Sequence, residues 1–126
     1  MRFKPVSGRV DQAAGLVWRY RDENNYYIVR ANALENNVVL YKVQDGRRTP
    51  LGPVGRTDDY GVKHPVPAGQ WSTLGVSFDD TRFGVTFDGQ ALFEVIDSTF
   101  TDAGSVGLWT KADSVTYFDG FAFEVR

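Results

Sequence analysis

Short runs of alternating apolar and polar residues, each ended by a turn-forming cluster, constrain this fold more than any other feature. In the run Phe83–Phe87, large apolar residues alternate with glycine or threonine. No stretch of the chain has the apolar spacing of a long amphipathic helix. Alternation of this kind predicts strands with one buried face. Valine and the aromatic residues, which make up 14% of the chain, favour the same pleated surfaces. We therefore predict strands at about residues 2–6, 13–20, 26–34, 38–44, 71–78, 83–87, 90–96, 105–111 and 115–125.

The links between these runs are too short for parallel crossovers, so the strands are predicted to be antiparallel. Asp88-Gly89 is the clearest two-residue hairpin turn, because both residues tolerate the positive φ that such a turn needs. Asn36-Asn37 is predicted to form a second tight hairpin turn, and Asp79–Arg82 a four-residue connection. Antiparallel strands without helices predict an all-β, two-sheet sandwich of the jelly-roll kind.

The length of 126 residues fits one domain with its own core, so we predict a single β-sandwich over residues 1–126. The segment at about residues 47–69 differs from the rest, because it holds four of the five prolines and shows little periodicity. A long loop in a small domain is often functional. A plain surface connection between the two sheets is the alternative interpretation.

Composition excludes several classes of function. A net charge of −2 and a pI near 5.3 argue against nucleic-acid binding, which needs a clustered basic face. Without cysteine there is no disulfide and no thiolate metal site, and His64, the single histidine, favours a solvated loop residue over a catalytic base. No apolar run is long enough for a membrane-spanning helix, so we expect no membrane insertion.

Several motifs occur in the order typical of concanavalin A-like and laminin G-like domains. They are Gly15–Tyr27, Gly69–Leu74, Phe87-Asp88-Gly89, Gly104–Thr110 and Phe118-Asp119. Together they cover nearly the whole chain, and the chain therefore resembles this group. The segments Arg30–Asn37 and Trp109–Thr116 are also similar to uncharacterised secreted bacterial domains, which in turn resemble the 3-keto-disaccharide hydrolase family. The resemblance implies a concanavalin A-like jelly roll.

The same relatives carry further strands and an export signal before the segment that matches Arg2–Pro5. The resemblance thus implies a jelly roll that lacks N-terminal strands, with an open edge beside the last strand, Tyr117–Val125. Open edges invite pairing with another copy, so a homodimer is one hypothesis. The chain shows no apolar signal-peptide segment of its own, whereas its relatives are secreted, and its localisation stays open.

Strand alternation gathers cationic, amide and aromatic side chains on one predicted concave, solvent-facing sheet surface. Such a surface suits a saccharide or another small polar ligand, because sugar hydroxyls need hydrogen bonds and sugar C–H faces stack on rings. Cations would also favour an anionic sugar. The alternative is an ordinary solvated sheet face whose cations pair with carboxylates. The candidate ligand-binding residues are Arg19, Arg30, Asn32, Trp109 and Lys111, flanked by Tyr26 and Lys42.

The carboxylates give weaker indications. Glycoside hydrolases of the concanavalin A-like fold, which the chain resembles, carry Glu-x-Asp-x-Glu on one strand. This spacing is missing here, so the catalytic residues stay unassigned. An enzyme would have to draw its acid or base from Glu35, Asp113 and Asp119. The segments Asp22–Asn25 and Asp58-Asp59 offer oxygen ligands for calcium, but neither completes a coordination loop. We predict no metal or cofactor, with calcium as an alternative.

Three functions follow from these observations. The leading hypothesis is a non-catalytic carbohydrate-binding or adhesion-type module that uses the cationic and aromatic sheet face. The first alternative is a sugar hydrolase or lyase resembling the 3-keto-disaccharide hydrolases. The second is a self-associating structural domain.

Overall fold

A computed structural model describes residues 1–8, 13–57, 60–102, 104–110 and 115–119, with side chains described as far as Trp109. The described residues form eleven strands: β1 (Arg2–Ser7), β2 (Ala13–Asp22), β3 (Asn25–Asn32), β4 (Asn37–Gln44), β5 (Arg47–Pro50), β6 (Val62–Lys63), β7 (Ser72–Asp79), β8 (Arg82–Phe87), β9 (Gln90–Ile96), β10 (Ser105–Thr110) and β11 (Val115–Asp119). These residues contain no helix, and therefore none that could span a membrane.

The strands form two antiparallel sheets. The first sheet has the order β11-β1-β7-β8-β9. The second has the order β10-β2-β3-β4-β5, and the short strand β6 also pairs with β4. Two packed antiparallel sheets confirm the predicted sandwich. Within the described residues, β11 lies at the edge of the first sheet, next to β1.

Aromatic rings fill the core between the two sheets. Trp18 and Tyr27 of the six-stranded sheet lie with their ring centroids 5.6 Å apart. Phe83 of the opposite sheet contacts both, at 5.4 Å from Trp18 and 4.7 Å from Tyr27. All three side chains are at most 1% exposed, so this cluster joins the sheets at the centre of the sandwich.

Most predicted strands and one predicted turn are confirmed. Asp88 and Gly89 have φ angles of 51° and 79°, and they connect β8 to β9 as expected. The loop predicted at about residues 47–69 contains two short strands that the sequence pattern did not indicate, β5 and β6. The predicted hairpin between β3 and β4 is confirmed, and Asn36 has a positive φ of 50°. Its predicted two-residue turn is wrong, because Asn37 already pairs with Asn32 and the connection comprises four residues, 33–36.

The central strands β3 and β4 of the six-stranded sheet are buried on both faces, whereas the sequence predicted a solvent-facing surface there. The face that points away from the other sheet, here called the outer face, carries a second apolar cluster. Tyr26 and Trp109 pack against this cluster from the solvent side. The buried members of the cluster are Val17, Ile28, Val39, Tyr41 and Val43. The outer face is therefore mainly apolar and aromatic.

Candidate functional site

A β-bulge in β2 decides which side chains reach the outer face. Val17 pairs with Gly107 and Tyr20 with Ser105, so three steps along β2 match only two along β10. Arg19 lies within this step with a positive φ of 49°. A bulge inserts one unpaired residue and reverses the alternation that follows it. Residues beyond Arg19 therefore face the opposite side from the one that simple alternation predicts.

The bulge turns Arg19 inward, so the prediction that Arg19 lies on the ligand-binding face is wrong. Its guanidinium donates a hydrogen bond to the Phe100 carbonyl oxygen at 2.8 Å and is 7% exposed. It also lies 5.7 Å from the ring of Phe78 and 5.4 Å from that of Phe83, both in the opposite sheet. Arg19 thus stabilises the packing between the sheets.

The same bulge brings Tyr20 to the outer face, although strict alternation along β2 would place it on the same face as the core residue Trp18. Tyr20 packs against Tyr26 with a centroid distance of 5.5 Å, and 38% of its surface is exposed. The paired tyrosines stand at one end of a cleft, and Trp109 stands at the other. Ser105, beside Tyr20, lies four residue steps from Trp109 along β10, which corresponds to about 13 Å in an extended strand.

The cleft between these aromatic residues has a volume of about 450 Å³. Val17 and Gly107 are paired at its centre, and a side chain at Gly107 would meet nothing within 4 Å, so this part stays open. The volume lies within the range of about 300–1,000 Å³ that is usual for small-molecule sites. The lining residues are Val17, Tyr20, Glu23, Tyr26, Ser105, Val106, Gly107, Leu108 and Trp109. We call this site the aromatic cleft.

Trp109 owes its position to a glycine in the neighbouring strand. Trp109 pairs with Gly15, and Gly15 in turn pairs with Arg30, so the three residues form one row across β10, β2 and β3. A Cβ atom on Gly15 would lie 3.2 Å from Cε3 of Trp109 and 2.8 Å from the Val29 carbonyl oxygen. Glycine is therefore required for the indole ring to lie close over β2.

Arg30 lies beneath the outer face, where protein groups bind its charge. Its guanidinium is 1% exposed. One terminal nitrogen donates to Oδ1 of Asn37 at 2.8 Å. The other lies within hydrogen-bond distance of three oxygens, at 2.6 Å from Tyr60, 3.0 Å from Glu35 and 3.2 Å from Tyr41. A ligand could not contact this guanidinium without displacing these partners, so we assign Arg30 a structural, positioning role.

The pKa values of the groups around Arg30 are shifted in the direction that stabilises the cluster. Partial burial acts to raise the pKa of Glu35, but the Arg30 guanidinium and the hydrogen bonds from Asn37, Arg30 and Tyr60 hold it below the ordinary value. Burial and the neighbouring Tyr41 hydroxyl raise the pKa of Tyr60 to about 12. At neutral pH Glu35 is therefore an anion and Tyr60 a neutral donor. Glu35 is committed to a buried cation, which argues against its use as a catalytic acid.

The other predicted site residues are separated by the strand register. Lys42 pairs with Tyr27, a core residue, and its ammonium donates to Oγ1 of Thr99 at 3.1 Å. The prediction that Lys42 shares a face with Arg30 is wrong. Arg30 pairs with Val39, so the odd-numbered residues of β4 share its face and Lys42 lies on the opposite one. Asn32 is 0% exposed, and its side-chain oxygen accepts hydrogen bonds from the turn that follows β3. Of the predicted set, Tyr26 and Trp109 share the aromatic cleft.

Four residues named in the sequence analysis lie outside the described residues: Asp58, Asp59, Lys111 and Asp113. Of the other calcium candidates, Asp22 uses one carboxylate oxygen to accept hydrogen bonds from the Asn24 amide and the Asn25 side chain. That arrangement is an ordinary Asx turn. The described residues contain no group of three or more potential metal ligands.

Several residues of the outer face are not indicated by the local sequence pattern. Strict alternation along β2 does not bring Tyr20 to this face, and a bulge at an arginine has no recognisable local signal. Tyr60 lies thirty residues from Arg30 in the chain, so its contact with that residue depends on the fold. Glu23 has a local signal, because it lies in the turn within the Gly15–Tyr27 motif, directly after β2 and shortly before Tyr26.

Comparison with solved structures supports the fold. The chain is similar to the carbohydrate-binding module CBM66 from Bacillus subtilis, with a TM-score of 0.74 and 22% sequence identity over 91% of this chain. The match spans 66% of that module's length. It is also similar to the galectin LEC-6 from Caenorhabditis elegans, with a TM-score of 0.56 and 13% identity over 93% of this chain and 79% of the galectin.

At these identities the likeness concerns the fold, and it agrees with the predicted jelly-roll sandwich. No protein-family model matches the sequence, and no curated protein matches it significantly. The resemblance to 3-keto-disaccharide hydrolases remains a prediction from the sequence. The chain is a two-sheet β-sandwich, and its fold is similar to that of a carbohydrate-binding module.

Proposed function

We propose that this chain is a carbohydrate-binding module that binds a saccharide in the aromatic cleft on the outer face of the six-stranded sheet. The observation that carries the proposal is the cleft itself. The bulge at Arg19 and the glycine at position 15 place partly solvent-accessible aromatic rings at both of its ends. A sugar ring can stack its C–H face on such rings while its hydroxyls remain accessible to polar groups.

The polar groups of the cleft support the same ligand class. The Glu23 carboxylate accepts hydrogen bonds, and the Ser105 hydroxyl donates or accepts them. An apolar lining with a few polar groups is typical of small-molecule sites. The structural likeness to a carbohydrate-binding module adds weight, although it concerns the fold. The function that fits is binding, since the cleft contains one described carboxylate and glycosidic cleavage normally uses two.

Affinity electrophoresis through gels that contain single polysaccharides tests the proposal. The wild-type chain should be retarded by at least one polysaccharide of a panel of dextran, inulin, galactan, mannan and mixed-linkage β-glucan. Trp109→Ala and Tyr20→Ala should each abolish the retardation, because each removes one aromatic end of the cleft.

Trp71→Ala is the matched control. Trp71 is 42% exposed, lies just before β7, and is absent from the lining of the cleft. This variant should keep the wild-type retardation. Thermal unfolding of each variant separates loss of binding from loss of the fold. Retardation that survives both cleft substitutions in folded protein would refute the proposed site.

A further inference from the structure

We infer that the aromatic cleft selects uncharged saccharides over acidic ones and that Glu23 is the residue that makes this selection. The inference rests on the proposed function and adds a substrate class to it. It also replaces the sequence-based expectation that cations on this face would favour an anionic sugar.

Glu23 is the one charged residue among the described residues that line the cleft. It is exposed, and its carboxylate makes no hydrogen bond or ion pair with the described part of the chain. A free carboxylate is only an acceptor, so it suits the hydroxyl donors of a sugar. Its charge repels a ligand carboxylate or sulfate, and it does so more strongly beside apolar walls, where water screens less.

The two arginines that the sequence places on this face do not offset this charge. Arg19 points into the sandwich, where it contacts Phe100 and the opposite sheet. Arg30 is buried and paired with Glu35 at 3.0 Å. These two positive charges are therefore neutralised or shielded before they can act on a ligand in the cleft. Arg21, two residues before Glu23, is paired with Asp102 at 3.1 Å.

Arg48 is exposed, but it lies at the far side of the sheet. Its guanidinium lies 4.8 Å from the ring of Tyr41. Four strand spacings separate β5 from β10, which corresponds to about 19 Å between the backbones. The Debye length at physiological ionic strength is about 8 Å. Arg48 therefore contributes little to the potential in the cleft, and among the described residues Glu23 is the charge that lines it.

The experiment compares neutral with acidic polysaccharides in the same affinity gels. The neutral set is the panel named above, and the acidic set is polygalacturonate, alginate and hyaluronan. We expect the best acidic polymer to bind the wild type at least tenfold more weakly than the best neutral polymer, which corresponds to about 1.4 kcal/mol. Glu23→Gln should reduce this discrimination to less than threefold, because glutamine keeps the shape and removes the charge.

Asp80→Asn is the matched control, since it removes one negative charge from an exposed turn in the five-stranded sheet. It should leave the discrimination unchanged. Raising the salt concentration from about 0.01 M to 1 M shortens the Debye length from about 30 Å to about 3 Å, so the discrimination should also shrink with salt.

The possible failures are distinguishable. If no polymer retards the folded chain, the proposed function fails, and the selectivity fails with it. If an acidic polymer binds as well as the best neutral one, or if Glu23→Gln discriminates as the wild type does, binding stands and the inference about Glu23 is overturned.

Discussion

Replacing Glu35 with glutamine tests whether the buried Arg30 charge depends on its carboxylate partner. Arg30 is 1% exposed and Glu35 41% exposed, so this ion pair has one buried and one partly solvated member. Glutamine preserves the length and one acceptor oxygen of the side chain. The substitution therefore weakens the contact with the guanidinium without creating a large cavity.

The expected cost is about 1.5–3 kcal/mol in the free energy of unfolding. Hydrogen bonds to charged groups contribute about 1.5–3 kcal/mol. Breaking a fully buried pair costs about 3–5 kcal/mol, but the exposure of Glu35 places this pair below that range. The remaining partners of Arg30, which include Tyr60 at 2.6 Å, also limit the loss.

Urea unfolding of both forms measures this cost, and Glu94→Gln provides the control. Glu94 pairs with Arg82 on the surface, where the two side chains are 50% and 62% exposed. Exposed pairs contribute about 0–1 kcal/mol, so the control should lose less than Glu35→Gln does. Equal losses for the two variants would refute the reasoning.

The pH dependence provides a second test of the same contact. The pKa of Glu35 is lower in the folded chain than its ordinary value, so the ion pair stabilises the fold at pH values above the unfolded pKa. That stabilisation is lost as the pH falls through the folded pKa. The difference between wild type and Glu35→Gln should therefore be largest at neutral pH and shrink in acid below about pH 4. A difference that does not depend on pH would contradict the assignment.

Three further substitutions test other parts of the structure. Tyr27→Phe should lower the unfolding free energy by about 1–3 kcal/mol in urea, because the Tyr27 hydroxyl donates to Asp97 at 2.6 Å. Gly61→Ala should lower the free energy of unfolding, measured by thermal unfolding, by about 3 kcal/mol or more. Gly61 has a φ of +63°, and a Cβ atom on it would lie 2.1 Å from the Val38 carbonyl oxygen. Gly55→Ala, its control, has the same kind of φ with open space around it and should cost about 1 kcal/mol. Gly15→Ala should weaken retardation in the polysaccharide gels, because it displaces the ring of Trp109.

The fold was largely predictable because its strands obey local rules. Alternating residues and turn signals depend on neighbours in the chain, and the Asp88-Gly89 hairpin formed where its residue types predicted it. The strands β5 and β6 have no local signal because they comprise only four and two residues, and because β5 ends in Pro50. Such short strands exist through pairing with β4, which the local pattern does not indicate.

The candidate site was less predictable because it depends on register and on distant contacts. One extra residue at Arg19 exchanged the faces of Arg19 and Tyr20, and so replaced a cation on the outer face with an aromatic ring. The register of β4 against β3 moved Lys42 to the core side. Tyr26 and Trp109 lie on one face, as predicted. Strand alternation holds for both residues, because the β2–β10 register shift lies between Ser105 and Gly107 and the β3–β4 register has no shift.

Chemical-shift mapping by NMR tests the central claim most directly, namely that a saccharide occupies the aromatic cleft. Oligosaccharides derived from whichever polysaccharide retards the chain would be titrated into labelled protein. We expect the largest backbone amide shifts at the cleft, including Val17, Tyr26 and Gly107, and little change at Gly75 and Gly84 in the five-stranded sheet. Shifts concentrated in the five-stranded sheet, with the cleft unchanged, would contradict the account.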